Sequence, residues 1–212
     1  MASAWNALII RRKNTFEGCQ VIGYALKRTG DILLPFVGNR TDLAKVLASL
    51  ESDSAEKRWF PLEHLLELFD IAERNDLTRR VGVHWAGNFL RSFLRQKDVQ
   101  LPEQALFAIS RLFPEFHRGD VGKIRVQPVD KHVVEVSDTT YAPCGYLSAL
   151  MERTIAGYGA EKIRIEHPPK SCRKEGAPSC KYVVSWEEND LLRMRRKQYE
   201  NTLQSVIPDK PF

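Results

Sequence analysis

Apolar residues recur at helical spacing from the start of the chain to about Gly119 and at strand spacing beyond it. In "PLEHLLELFDIAER" the residues Leu62, Leu65, Leu66, Phe69 and Ala72 fall on one stripe, with Glu63, Glu67 and Asp70 off it, the pattern of an amphipathic helix. "DLTRRVGVHWAGNFLRSFLRQ" follows, with Asp76 as a candidate cap and Val81, Trp85, Phe89 and Phe93 four apart along one face. Gly82, Ala86 and Gly87 make a patch of small residues there, where a helix or a ligand can approach closely. A helix opens at Pro102 and stops at Pro114, and earlier ones are expected at roughly 17–29 and 41–50, with Gly30–Arg40 as a loop or short helix.

After Gly119, "GKIRVQP" and "KHVVEVSD" alternate apolar and polar residues around a Pro- and Asp-bearing turn, predicting a hairpin. "CGYLSALMERTIAGYG" returns to helical spacing, and "EKIRIEH" and "CKYVVSW" predict a second hairpin joined by "SCRKEGAPSC". The predicted fold is therefore α+β: a helical first half (1–118), a four-stranded antiparallel sheet of two hairpins with a helix between them (119–187), and a helical tail (188–212).

The composition is that of an ordinary globular chain of 212 residues, 43 % hydrophobic and 28 % charged. No apolar run approaches the ~20 residues of a membrane span, and the start "MASAWNALIIRRKN" has its basic residues after the apolar stretch, the wrong order for a secretory signal. A cytoplasmic location is expected. The net charge of +5 is scattered in pairs rather than gathered in a stripe with aromatics, which argues against nucleic acid as a partner. No phosphate-cradling loop, nucleophile elbow or His-Glu-x-x-His pair is present, and a non-enzymatic role is expected.

Two constellations carry chemistry. Cys172 and Cys180 stand at the two mouths of a loop between strands, and Cys144 opens the preceding helix, where free N–H groups favour a thiolate. With His167, or Glu166 in reserve, they would complete a tetrahedral structural zinc site; the same cysteines also suit plain packing in apolar niches. Trp85, Phe89 and His84 are the candidate lining of an apolar ligand pocket, although these aromatics at helical spacing are core residues first. His64, His117 and His132 read as surface residues.

The second half, with Cys144-Gly145-Tyr146, then Cys172, Gly176 and Cys180, then Trp186, resembles the 4-vinyl reductase domain family over roughly residues 119–187. That family is related in fold to haem nitric-oxide sensors and to vesicle-tethering subunits. The resemblance implies a small-molecule-binding sensor with a structural zinc on the three cysteines; the family's Glu ligand is replaced by Pro169 here. The haem sensors' Tyr-x-Ser-x-Arg string is missing, which argues against haem. The resulting expectation is a regulatory protein holding a small hydrophobic or aromatic ligand, with a protein partner or a homodimer open. The alternative is an interaction scaffold like the tethering subunits, and a haem-based sensor or an enzyme comes third.

Overall fold

The structure, a computed structural model, describes residues 16–38, 41–48, 50, 55–95 and 98–206; the side chains of residues 41, 42, 89 and 203–206 lie outside that description. The apolar start of the chain falls outside it too. The order is β1 (Gln20–Ile22), α1 (Gly23–Val37), α2 (Thr41–Ala48), β2 (Trp59–Pro61), α3 (Leu62–Arg74), α4 (Thr78–His84), a π-helical turn (Trp85–Leu90), α5 (Arg91–Arg95), α6 (Pro102–Leu112) and β3 (His117–Arg118). Then follow β4 (Ile124–Asp130), β5 (Val133–Asp138), α7 (Cys144–Ala156), β6 (Ala160–Glu166), β7 (Cys180–Glu188) and α8 (Asp190–Val206).

The fold is α+β, with its helices concentrated in the first half and an antiparallel sheet ordered β4-β5-β7-β6 in the second. Each hairpin predicted from period-two spacing is there, and β5 joins β7 with Val136 opposite Tyr182 and Val134 opposite Val184. Alternate residues of β7 (Cys180, Tyr182, Val184, Trp186 and Glu188) are buried, as a half-covered sheet requires. A small three-stranded sheet, β2-β1-β3, which the sequence reading missed, ties the start of the described chain to the end of the helical half.

Two features of the helices position the site. α4 packs on α7 at backbone distance: a Cβ on Gly82 would lie 2.3 Å from the Tyr146 carbonyl oxygen, so only glycine fits. The π-turn then inserts one extra residue into the helical repeat. Val81 faces the core before it and Leu94 after it, with Trp85 and Leu90 buried at its two ends, so the buried face moves on by one position. No helix among the described residues is long and apolar enough to cross a membrane.

Candidate functional site

The buried faces of α1, α3, the π-turn, α6 and α7 leave a chamber of about 70 Å³ between them and the start of β4. Its wall is almost entirely apolar, from Phe69, Trp85, Phe113, Phe116 and Leu147 among others. The Trp85 indole N–H donates to Thr29 Oγ1 at 3.1 Å, so its polar edge is satisfied within the wall. One polar pair faces the space. His117 stands at the end of the turn that follows α6, its ring stacked on Phe113 with centroids 4.2 Å apart. Nδ1 lies 2.6 Å from the Phe113 carbonyl oxygen, which can only accept, so Nδ1 carries the proton. Nε2 is then a lone-pair acceptor, and the Tyr141 hydroxyl donates to it at 2.5 Å.

Burial lowers the His117 pKa from 6.5 to about 4, against the Phe113 carbonyl, which acts the other way; the ring is neutral at pH 7. Burial likewise pushes the Tyr141 phenol well above its ordinary range. The arrangement is a neutral imidazole, oriented by a backbone carbonyl, whose one lone pair is held by the Tyr141 hydroxyl at the edge of an apolar space and becomes available when that phenol turns away. It can accept a hydrogen bond from a ligand or meet a Lewis acid.

The sequence-predicted pocket residues divide. Trp85 lines the chamber. His84 does not reach it: it is exposed on the outer side of α4, 3.4 Å from Asn88 Nδ2, one residue off the buried face. The Phe89 side chain lies outside the described residues. Sequence reasoning put His117 on the surface. The available signal was its place directly after Phe113–Phe116, a turn rich in aromatics that can cover a ring.

The segment 138–144 leads from the chamber to a second cluster. The Cys144 sulfur lies 3.2 Å from that of Cys180 and 3.5 Å from that of Cys172, and the latter two are 3.9 Å apart. Four ligands at ~2.3 Å around one ion imply sulfurs about 3.8 Å apart. The loop folds this way because Arg173–Glu175 form a tight turn ended by Gly176 at φ +91°, and Lys181 N donates back to Ser171 O at 2.9 Å. The three sulfurs are the only such group of metal-ligating atoms among the described residues, and neither His167 nor Glu166 joins them. The His167 ring packs on Tyr182 instead.

Arg173 takes that side of the cluster. Its Nε donates to Cys180 Sγ at 3.3 Å, and its Nη2 donates to Asp138 Oδ2 at 2.7 Å and to Ala142 O at 2.9 Å. Cys180 is held below its ordinary pKa by the Cys144 thiol hydrogen bond and then by Arg173, while Cys144 is pushed up. Burial pushes Asp138 up to about 6, outweighing the guanidinium beside it. The Tyr182 hydroxyl, buried by the same corner, has no hydrogen-bond partner among the described residues.

The chain is a mixed α+β fold with an apolar chamber between its helices and its sheet, and solved structures share that fold. The chain superimposes on an H-NOX protein from S. oneidensis in the Fe(II) ligation state (TM-score 0.61, 15 % identity, 80 % of this chain and 98 % of that one). It also matches that protein in the Fe(II)NO state (TM-score 0.60, 15 % identity, 79 % and 99 %) and an unliganded Fe(II) H-NOX variant from K. algicida (TM-score 0.56, 14 % identity, 80 % and 98 %). At such identities the likeness defines the fold. No protein-family model matches the sequence, and no curated protein matches it.

These findings correct two expectations. The resemblance to the 4-vinyl reductase family rested on some seventy residues of the second half; no family model supports it, and the structures that share the fold over four fifths of the chain are H-NOX proteins. The argument against haem rested on one missing string; it is overturned by a fold shared with proteins studied as haem-containing Fe(II) and Fe(II)NO species. Zinc is shown by neither the structure nor the comparisons.

Haem can be tested against the chamber's own residues. The donor chemistry fits: His117 is neutral, its Nδ1–H is fixed by a backbone carbonyl, and its Nε2 faces an apolar space, the arrangement of a metal-ligating imidazole. A macrocycle needs far more than 70 Å³, since even ordinary small-molecule pockets measure ~300–1,000 Å³. Rings such as Trp85 and Phe116 have to turn out to admit it, and Tyr141 has to release Nε2.

Proposed function

We propose that this chain is a non-enzymatic sensory protein that holds a small apolar molecule in the chamber, with His117 and Tyr141 as its polar contact. The observation that carries the reading is the His117–Tyr141 pair, a neutral acceptor and a phenol directed into an otherwise apolar space. Burying two hydrogen-bonding groups in such a wall costs stability unless they serve each other or a ligand. At rest the space suits a molecule of a few heavy atoms, since a cavity of about 150 Å³ is what benzene occupies. A ligand of benzene's size enters if one ring of the wall turns.

A haem-based sensor is the second reading. The fold shared with H-NOX proteins and a neutral imidazole whose Nε2 is held only by the Tyr141 hydroxyl favour it. His117 would hold the iron, which when bound supplies a coordination site for a diatomic gas. The segment 138–144 would pass a change at Tyr141 to the cysteine corner. There we propose that Cys144, Cys172 and Cys180 bind a thiophilic divalent cation, a role supported by their spacing.

The test titrates the protein with 1-propanol, benzyl alcohol and haemin, reading the thermal midpoint, tryptophan fluorescence and visible absorption. Saturable stabilisation by either alcohol, lost in Tyr141→Phe and His117→Asn, supports the first reading. A Soret band that forms with haemin and shifts in His117→Asn supports the second. No saturable response to any of the three contradicts both.

A further inference from the structure

A second concave region lies on the far side of α6 and α7, away from the His117 chamber. It is a cleft of about 390 Å³, with Arg91 and Arg95 from α5, Arg195 from α8, Tyr158 just past α7, and Gln100 and Gln198 at its rim. Among the described residues no carboxylate lines it. A smaller hollow beside it shares Arg91 and Tyr158 and adds Arg153.

The charges here are handled unlike those elsewhere on the same helices. Arg196 is paired with Glu103 and Glu188, Arg193 with Asp190, and Arg79 with Glu152. Among the described residues no carboxylate pairs with Arg91, Arg95 or Arg153, and Arg195 reaches only the Gln100 carbonyl, at 3.3 Å. Arg91 and Arg95 are also four apart on one helix, a like-charge spacing that costs a few tenths of a kcal/mol. All three lining arginines act on Tyr158: burial pushes its phenol up, and their charges pull it back. Exposed arginines usually find an acid or point apart. These converge on one ring.

Guanidinium groups without an acid, gathered around a concave surface, suit phosphate oxygens, which they bind through paired N–H donors. The cleft continues into a groove of about 690 Å³ that shares Val99 and Gln100 with it. Half-buried Phe107 and Tyr199 line that groove, together with Asp98, Glu115 and one arginine, Arg111, so that its charges are mixed where the cleft's are all positive. One end of the combined surface therefore favours anions, and the other offers aromatic faces beside Asp98, whose carboxylate can accept from an amino group.

We infer that this cleft binds a nucleoside phosphate, with its phosphates among Arg91, Arg95 and Arg195 and its base in the groove beside Phe107 and Tyr199. Such a ligand bridges α5, the end of α7 and α8.

The test is calorimetric titration of the protein with ATP and with inorganic pyrophosphate at low ionic strength. ATP is expected to bind at one site, and pyrophosphate more weakly at the same site. Arg91→Ala with Arg95→Ala should weaken both by about tenfold or more, each lost charge-assisted contact amounting to roughly that factor. Tyr199→Ala should weaken ATP and leave pyrophosphate unchanged. The arginines are exposed, so the thermal midpoint of the double variant should stay near that of the parent. No ATP binding, ATP binding indifferent to the arginine substitutions, equal affinity for ATP and pyrophosphate, or retention only of a single-stranded oligonucleotide would each overturn the assignment. None of these results touches the His117 chamber.

Discussion

The chamber and the cysteine corner lie at two ends of one short segment, and they bury polar groups in opposite ways. In the chamber His117 and Tyr141 are neutral; each has been pushed to its uncharged form by an apolar wall. In the corner a buried charge has its counter-charge at hand: Arg173 stands between Cys180 and Asp138 and hydrogen-bonds to both, and the Cys180 thiol is held down although burial pushes Asp138 up. A wall of side chains that cannot answer a charge leaves a neutral pair that an incoming molecule can part, taking the place of the Tyr141 hydroxyl on Nε2. A corner that supplies its own counter-charge is closed to most ligands, and selects an ion able to replace a guanidinium.

Substitutions should separate the two regions, beginning with the largest effect. Trp85→Ala in the chamber wall is expected to cost about 3–5 kcal/mol in urea unfolding, as large aromatic truncations do. The enlarged space should then be refilled by indole, which should raise the variant's midpoint and leave the parent's unchanged. A variant that indole does not stabilise would mean that the wall collapses, and the chamber would be ordinary core.

Arg173→Ala leaves Asp138 buried without its partner and should cost roughly 3 kcal/mol. Asp138→Asn in the same chain should recover part of that loss, since the uncompensated charge is gone. The chamber should still take its ligand in both variants. A loss of ligand binding together with stability would show that the segment 138–144 cannot be altered at one end alone.

The pH dependence of stability sharpens the contrast further. The His117 pKa is depressed on folding, so the unfolded chain takes up a proton between pH 6.5 and about 4 that the folded chain refuses. Its contribution is fully present above pH 6.5 and is lost as the pH falls toward 4, up to about 3 kcal/mol in total. Asp138 acts in the opposite direction: its pKa is raised from 3.8 to about 6, so its part is lost as the pH rises through that window. His117→Asn should therefore remove an acid-side loss from the profile, and Asp138→Asn should remove a loss on the rising side. Unfolding curves at several pH values check both. The smallest effect is expected at His84, exposed on the outside of α4, where His84→Ala should change stability by less than about 0.5 kcal/mol and leave ligand binding unaltered.

Much of this was legible in the residues, for local reasons. The Leu62–Ala72 stripe and the alternating strands carry their period within a few residues, and both hairpins follow from it. The cysteine triad was legible because hairpin ends meet: a loop that starts with Cys172 and finishes with Cys180 returns the two sulfurs to one place. Other elements depend on partners distant in sequence. Gly30 looked like a helix end but lies inside α1, where a Cβ would meet Leu47 at 2.3 Å; it is there for close packing. Strands of two or three residues such as β1, β2 and β3 are too short to show alternation. The π-turn broke the four-residue spacing on which the face through Phe93 was read. His117 is half-buried because Tyr141, twenty-four residues later, closes over one edge of its ring, and no local pattern announces that. His167 was the natural fourth ligand by position, yet the buried charge of Asp138 draws Arg173 to that side of the sulfurs.

The central claim is that His117 presents a neutral Nε2 acceptor to a ligand in the chamber. Nitrogen-15 NMR of the histidine rings tests it most directly, recorded from pH 7 to pH 5 with and without benzyl alcohol. The account predicts one histidine that stays in the Nδ1–H form across that range and whose Nε2 resonance moves, saturably, as the alcohol is added. An imidazolium at pH 7, an Nε2–H tautomer, or an Nε2 resonance indifferent to the alcohol would contradict it.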